Sequence, residues 1–202
     1  MSKGVKFTYD CADAEIARFD QLAELNGYRR KLQERGLMGM DSNGVGFGNV
    51  SIRDGASNNF YITGSATGSL PELRPTDCVR VVAYDFAKNW LRYEGAAIPS
   101  SESLTHAAIY ESDPSTSAVI HCHDLGLWAA LLDRVPTTSK AVGYGTPEMA
   151  YEIMRLFKVD DVRTGKILVM AGHQGGIVIF GQDLKDAFDV LMRQQSESPP
   201  CI

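Results

Sequence analysis

The chain has 202 residues, enough for one well-buried core, and its 44% hydrophobic and 22% charged composition is that of an ordinary globular protein. A formal net charge of -5 with no basic run removes electrostatic support for a nucleic-acid partner, and no apolar stretch approaches the roughly 18 residues of a membrane span. The opening Met-Ser-Lys-Gly-Val-Lys-Phe lacks the apolar centre of a signal peptide. The four cysteines, Cys11, Cys78, Cys122 and Cys201, form no Cys-x-x-Cys pair, which fits a reduced, cytoplasmic protein.

Apolar residues at Ile16, Phe19, Leu22, Leu25, Tyr28 and Leu32 recur at three and four, which predicts an amphipathic helix over about 12–37. Arg29, Arg30, Lys31 and Arg35 complement the dipole at its end, Gly36 stops it, and the segment reads as scaffold. A Gly- and Asn-rich stretch from Asp41 leads into a strand at Val50 and Ile52. After the Asp54-Gly55 turn, Phe60–Thr63 returns as the second strand of a hairpin. Residues 64–68 are a loop of small residues. Residues 78–84 and 90–93 read as strands, and Ser100 or Ser101 caps a helix running to Tyr110.

Ala118 to His123 is a β-branched run ending in His-x-His. Residues 125–132 make a short helix, and Pro147 opens another that runs to Phe157. Strands at 167–170 and 177–180 flank Ala171–Gly176, a last helix covers 183–195, and the tail at 196–202 is expected to be flexible. Short connections between strands predict a single α+β domain over 1–202. Its central sheet is mainly antiparallel, with helices around it.

The chemistry begins at the His-x-His. Alternate strand residues share a face, so His121 and His123 point together while Cys122 turns away with Ile120. With His173, from the Gly-rich turn, they supply three imidazoles, a set suited to a catalytic divalent metal. The competing reading is one core histidine and one solvent-facing histidine. Glu102 stands at a helix start, where it is either a first-turn acid suited to the dipole or a base beside a metal-bound substrate. Ser100 and Ser101 at the same helix start, with the loops at 46–51 and 63–68, offer donors for an anion. No Walker or dinucleotide-binding glycine pattern is present.

Five segments in order, 48–53 (Gly-Asn-Val-Ser-Ile-Arg), 62–65 (Ile-Thr-Gly-Ser), 99–102 (Pro-Ser-Ser-Glu), 119–123 (Val-Ile-His-Cys-His) and 172–176 (Gly-His-Gln-Gly-Gly), resemble the class II aldolase/adducin family. The resemblance implies a three-layer α/β/α fold assembled as a homotetramer with sites at subunit interfaces. It implies Zn2+, or Mn2+ or Co2+, on His121, His123 and His173, with Glu102 as the acid/base residue. Asn49, Ser100 and Ser101, together with Ser65 or Thr67 and Gly68, would bind the phosphate of a small-molecule substrate. His106 is placed behind the site or in packing. The implied activity is a lyase of carbohydrate metabolism that cleaves a small sugar phosphate or related hydroxy-ketone through a metal-bound enediolate. An epimerase or dehydratase on the same scaffold, a decarboxylase acting on an unphosphorylated hydroxy acid, and a non-catalytic adducin-like binding module stand as alternatives. The family's tyrosine proton donor finds no match, and Tyr144 aligns elsewhere.

Overall fold

The computed structural model describes residues 6–12, 16, 19–159 and 161–197. In chain order the elements are β1 (Thr8–Ala12), α1 (Leu22–Glu34), β2 (Gly39–Met40), β3 (Gly46–Phe47), β4 (Asn49–Arg53), β5 (Phe60–Thr63), β6 (Cys78–Asp85) and β7 (Trp90–Glu94). Then come α2 (Ser103–Ser112), β8 (Ala118–His123), α3 (Leu125–Leu131), α4 (Pro147–Val159), α5 (Val162–Gly165), β9 (Ile167–Val169), β10 (Gly176–Gly181) and α6 (Leu184–Glu197).

Eight strands form one sheet in the order β1-β7-β6-β5-β4-β8-β10-β9, and β2 pairs with β3 as a separate ribbon. Every neighbouring pair in the large sheet is antiparallel except β1 with β7, so the sheet is mixed only at its edge. Alternation divides the apolar side chains between two layers. Ile52, Ile120, Ile177 and Ile179 face a core completed by Leu25 and Leu32 of α1, Leu127 of α3 and Leu191 of α6. Val119, Val178, Phe60 and Ile62 face the other core with Ala107 and Ile109 of α2 and Ile153 of α4. The result is the expected α/β/α sandwich. Each fully buried Val, Ile, Leu or Phe in it contributes roughly 1.5–3 kcal/mol.

β8 lies between β4 and β10, and its residues Ala118 to Cys122 are buried. The central position fixes its register. His121 stands opposite Asn49 on one side and Val178 on the other, and His123 stands opposite Gly176. A one-residue slip would exchange the two apolar layers, so the imidazoles are held to one face by the whole core.

Three expectations are corrected at the element ends. The first helix begins at Leu22 rather than near residue 12, because Thr8–Ala12 add a parallel edge strand to β7. That strand is almost wholly exposed and has no apolar alternation to announce it. Residues 13–15 and 17–18, within the helix as read from sequence, lie outside the described residues. Helix α2 is not capped by a serine side chain, since it starts at Ser103 after Glu102, and Ser103 donates its N–H and hydroxyl to the Ser100 carbonyl at 3.0 and 2.7 Å. Finally, Ser196 and Glu197 of the supposed tail belong to α6, while 198–202 lie outside the described residues. The Gly36 stop is present. Gly36 takes φ +69°, and Leu37 N–H reaches back to Leu32 O at 3.0 Å.

Candidate active site

β8 ends at His123 because Asp124 caps α3, accepting from Leu127 N–H at 2.9 Å. His123 N–H is tied to Leu37 O and Asp124 N–H to Gly175 O, each at 3.0 Å, so the strand end is anchored on two sides. The turn carrying His173 is closed by His173 N–H to Met170 O at 3.0 Å and by Gly176 N–H to His173 O at 2.8 Å. Two glycines let the ring in. Gly175 has φ +81°, and a Cβ on Gly176 would lie 2.7 Å from His173 Cδ2. The Gln174-Gly175-Gly176 spacing beyond the histidine therefore does not displace it.

The structure brings the three imidazoles together. One ring nitrogen from each of His121, His123 and His173 lies within 4.8 Å of the others, and the Nε2 atoms of His123 and His173 are 3.0 Å apart. Ligands at about 2.0–2.1 Å on a tetrahedral ion stand about 3.3 Å apart, so the cluster needs only small adjustments to hold one. Burial lowers the pKa of all three. Mutual repulsion lowers His121 further, and His173 falls to about 3. Neutral imidazoles are the form that binds a cation.

Asn49 lies beside His121, its amide nitrogen 3.2 Å from His121 Nδ1. Its Oδ1 has no partner, nor does His121 Nε2. Turning the amide puts Oδ1 on Nδ1–H and leaves the Nε2 lone pair bare, the tautomer a metal ligand needs. The place of Asn49, expected at a phosphate, is thus against a histidine.

Glu102 is 3% exposed. Its Oε2 accepts from Thr105 Oγ1 at 2.9 Å, and Oε1 has no partner among the described residues. Burial raises its pKa to about 7 against smaller opposing effects from Thr105 and Lys6. His106, four residues on, shares a 2.6 Å hydrogen bond with Ser51, which shares one of 2.7 Å with Tyr110. Its Nε2 is also unpartnered, and burial takes its pKa to about 3. Four of the six buried side-chain polar atoms without partners, among the described residues, thus sit on Asn49, Glu102, His106 and His121. Buried polar groups are rarely left so, and their grouping marks a binding site.

The family profile described as Class II Aldolase and Adducin N-terminal domain matches residues 27–195. The chain belongs to the class II aldolase/adducin family. It is 30% identical over 166 residues to a 3-oxo-tetronate 4-phosphate decarboxylase of Haemophilus influenzae, covering 71% of each chain. It is 29% identical over 155 residues to an L-fuculose phosphate aldolase of Methanococcus maripaludis, covering 70% of this chain and 76% of that one. Among solved structures, an L-fuculose 1-phosphate aldolase superposes with a TM-score of 0.65 at 24% identity, covering 93% of each chain. The Thermus thermophilus enzyme of that name superposes with 0.61 at 18%, covering 88% of this chain and 90% of that one. Class II aldolases are metal-dependent, and the three imidazoles form a group able to hold a metal ion.

Around this class II aldolase cluster the remaining sequence-predicted residues fall into two groups. The 64–68 loop is joined to the segment before Ser100. Gly64 bridges Pro99, and Ser65 N–H donates to Ile98 O at 2.7 Å. Thr67 spends its hydroxyl on Gly64 O at 2.8 Å, and Gly68 packs under the Gly39 and Phe47 carbonyls. Ser100 Oγ accepts from Glu102 N–H at 3.4 Å, and Ser101 presents its carbonyl to Gly145. No direct contact joins these residues to the imidazoles.

The link runs through residues that sequence reasoning passed over. The Tyr144 ring lies 4.2 Å from the His173 ring, and Lys6 Nζ sits 3.2 Å over Tyr144 while donating to its carbonyl at 3.1 Å. Lys6 acts electrostatically on both Glu102 and His173. Phe47 packs 5.7 Å from His123, ring to ring. The Gly-Tyr-Gly run at 143–145 was the one available signal for Tyr144. For Lys6 there was none, because its place depends on the edge pairing of β1.

Proposed function

We propose that this protein is a divalent-metal-dependent aldolase-type lyase that cleaves the carbon–carbon bond next to the carbonyl of a small phosphorylated hydroxy-ketone, releasing an enediolate. The observation that carries the reading is the convergence of three neutral imidazoles in a site that also contains a buried carboxyl with a pKa of about 7. His121, His123 and His173 would hold zinc, or manganese or cobalt. Bound there, the ion would supply Lewis-acid stabilisation of charge developing on substrate oxygens.

The chain's own residues supply the rest. Glu102 is divided between acid and carboxylate near neutral pH, so its unpartnered Oε1 can take a proton from a substrate hydroxyl and return one to carbon. Asn49 orients His121. Thr67, Gly68, Ser65, Ser100 and Ser101 would hold the phosphate end with hydroxyl and backbone donors. Tyr144 and Phe47 bring aromatic surface against His173 and His123, which excludes water from the site. In this reading the enzyme works in the cytoplasm as a homotetramer. No described helix is long and apolar enough to cross a membrane.

A decarboxylating form is the second reading, favoured by the 30% identity to a 3-oxo-tetronate 4-phosphate decarboxylase. Loss of CO2 from a 3-oxo acid and retro-aldol cleavage of a ketose phosphate both leave a carbanion beside a carbonyl. The same residues therefore serve either, and Glu102 is then only the proton donor.

The test is metal content with turnover. Near-stoichiometric metal that disappears in a His121→Ala/His123→Ala variant, and a Glu102→Gln protein that keeps its metal but loses at least about a hundredfold in rate, are the expected results. A protein that refuses added zinc, or a Gln variant with unchanged rate, sinks the proposal. Assay of released aldehyde against released CO2 separates the two forms.

A further inference from the structure

Helix α1 reads as scaffold from sequence, yet the face it buries is polar along three turns. Asn26, Arg29 and Gln33 stand three and four residues apart and form one stripe. Asn26 exchanges two hydrogen bonds with the Leu73 backbone, each of 2.9 Å. Arg29 Nη2 donates to Thr67 O at 2.7 Å and Leu70 O at 3.1 Å. Gln33 Nε2 donates to Gly68 O at 2.7 Å and Leu70 O at 2.9 Å. The carbonyls of residues 67, 68 and 70 are therefore all turned to one helix.

A trans peptide unit points its N–H opposite to its carbonyl. With the Thr67 and Gly68 carbonyls on α1, the N–H groups of Gly68 and Ser69 point away from it. Among the described residues neither N–H donates to any protein acceptor, nor do those of Ala66 and Thr67. Ala66 takes φ +60°, the left-handed turn that lets successive N–H groups converge.

Arg29 is the largest fully buried side chain, and burial lowers its pKa. Its hydrogen-bond acceptors are all uncharged: two carbonyls and, at 3.5 Å, Asn26 Oδ1. Its Nε has no partner among the described residues. A buried cation without a hydrogen-bonded acid is costly and seldom retained for packing alone. A carbonyl that accepts from a cation polarises its peptide unit, which strengthens the N–H on the far side as a donor.

We propose that the Asn26–Arg29–Gln33 stripe presents the 66–69 backbone N–H groups to the substrate's phosphate, and that Arg29 supplies the positive charge selecting that anion. The inference rests on the reading above, in which this loop holds the phosphate end. Arg29 is a positioning residue. It acts through the Thr67–Gly68 peptide and touches no reacting atom.

The test is the dissociation constant of inorganic phosphate, read from its stabilisation of the metal-loaded protein against thermal unfolding. Arg29→Met is expected to weaken it roughly tenfold or more, as loss of a supporting partner does elsewhere, with metal stoichiometry unchanged. Arg29→Lys, which keeps the charge, should restore most of the affinity. Gln33→Ala, at a half-buried position, should weaken it severalfold. A merely structural arginine would lower the melting temperature without moving the phosphate constant, and a folded Arg29→Met protein with the wild-type constant overturns the proposal. If that variant does not fold, an unchanged constant in Gln33→Ala does the same. Should wild type itself ignore phosphate, the phosphate-end reading falls and takes this inference with it. If wild type binds and the variants bind equally well, only the inference fails.

Discussion

Replacing Glu102 by Gln should make the metal-free protein more stable above neutral pH, and by an amount that varies with pH in a defined way. Burial lifts the carboxyl from the ordinary value of 4.5 to about 7. One pKa step corresponds to about 1.4 kcal/mol, so the rise represents roughly 3 kcal/mol of native-state cost. Between pH 4.5 and 7 the native state holds a proton that the unfolded chain has released, so this group's contribution to stability falls as pH rises. Below pH 4.5 both states are protonated and the cost vanishes; above 7 it is complete. Gln carries no titration. The stability of the variant minus that of wild type should therefore climb by roughly 3 kcal/mol from pH 4 to pH 8, mostly between 5 and 7. Urea unfolding of chelator-treated protein across that range measures it, and taking the difference cancels the histidines, which titrate in both proteins. A difference flat to within about 0.5 kcal/mol would refute the argument that Glu102 is buried without a compensating charge.

Four further outcomes follow from the same geometry. Asn49→Ala removes the group that orients His121 and should weaken metal binding about 10- to 100-fold in competition with a chelator, leaving the fold intact. In metal-free protein the depressed pKa of His173, about 3, means that stability is lost as pH falls from about 6.5 toward 3. His173→Ala should flatten that acid limb, as read from urea midpoints at pH 4 and 7. A Cβ at Gly172 would overlap the Val142 carbonyl oxygen, which is backbone and cannot move freely. Gly172→Ala should cost about 2–4 kcal/mol and reduce metal content by shifting the turn that carries His173. Tyr144→Ala should lower metal affinity less than Asn49→Ala does, since it removes ring packing and no hydrogen bond to a ligand; titration with zinc compares the two.

What sequence revealed and what it hid divide along a physical line. The faces of β8 and β10 were legible because period-two alternation is set by burial, and burial is written in the apolar residues themselves. His121 and His123 fell on one face by the same rule. The α2 and α4 helices were placed well because their apolar residues recur at helical spacing. The edge strand β1 was not foreseen, since Thr8–Ala12 gain their conformation from pairing with β7 and have no buried face to pattern. The short α5 at Val162–Gly165 was missed for a related reason: one turn is too brief to show a period.

Buried polar residues are the harder case, because their meaning lies in a partner that the sequence does not name. Asn49 was legible as a site residue by resemblance, but its contact with His121 follows from the β4–β8 register, a pairing 72 residues apart. Arg29 looked like a last-turn cation suited to the helix dipole, as Arg30, Lys31 and Arg35 do. Periodicity could have warned otherwise: Arg29 is four residues after Leu25 and three before Leu32, so it shares the inward face with two core leucines. A charge on that face has to be satisfied, and here backbone carbonyls 38 and 41 residues away satisfy it. The useful sequence signal for a positioning residue is therefore a polar side chain that breaks an apolar stripe. Lys6 breaks no stripe, so only three-dimensional pairing places it over Tyr144.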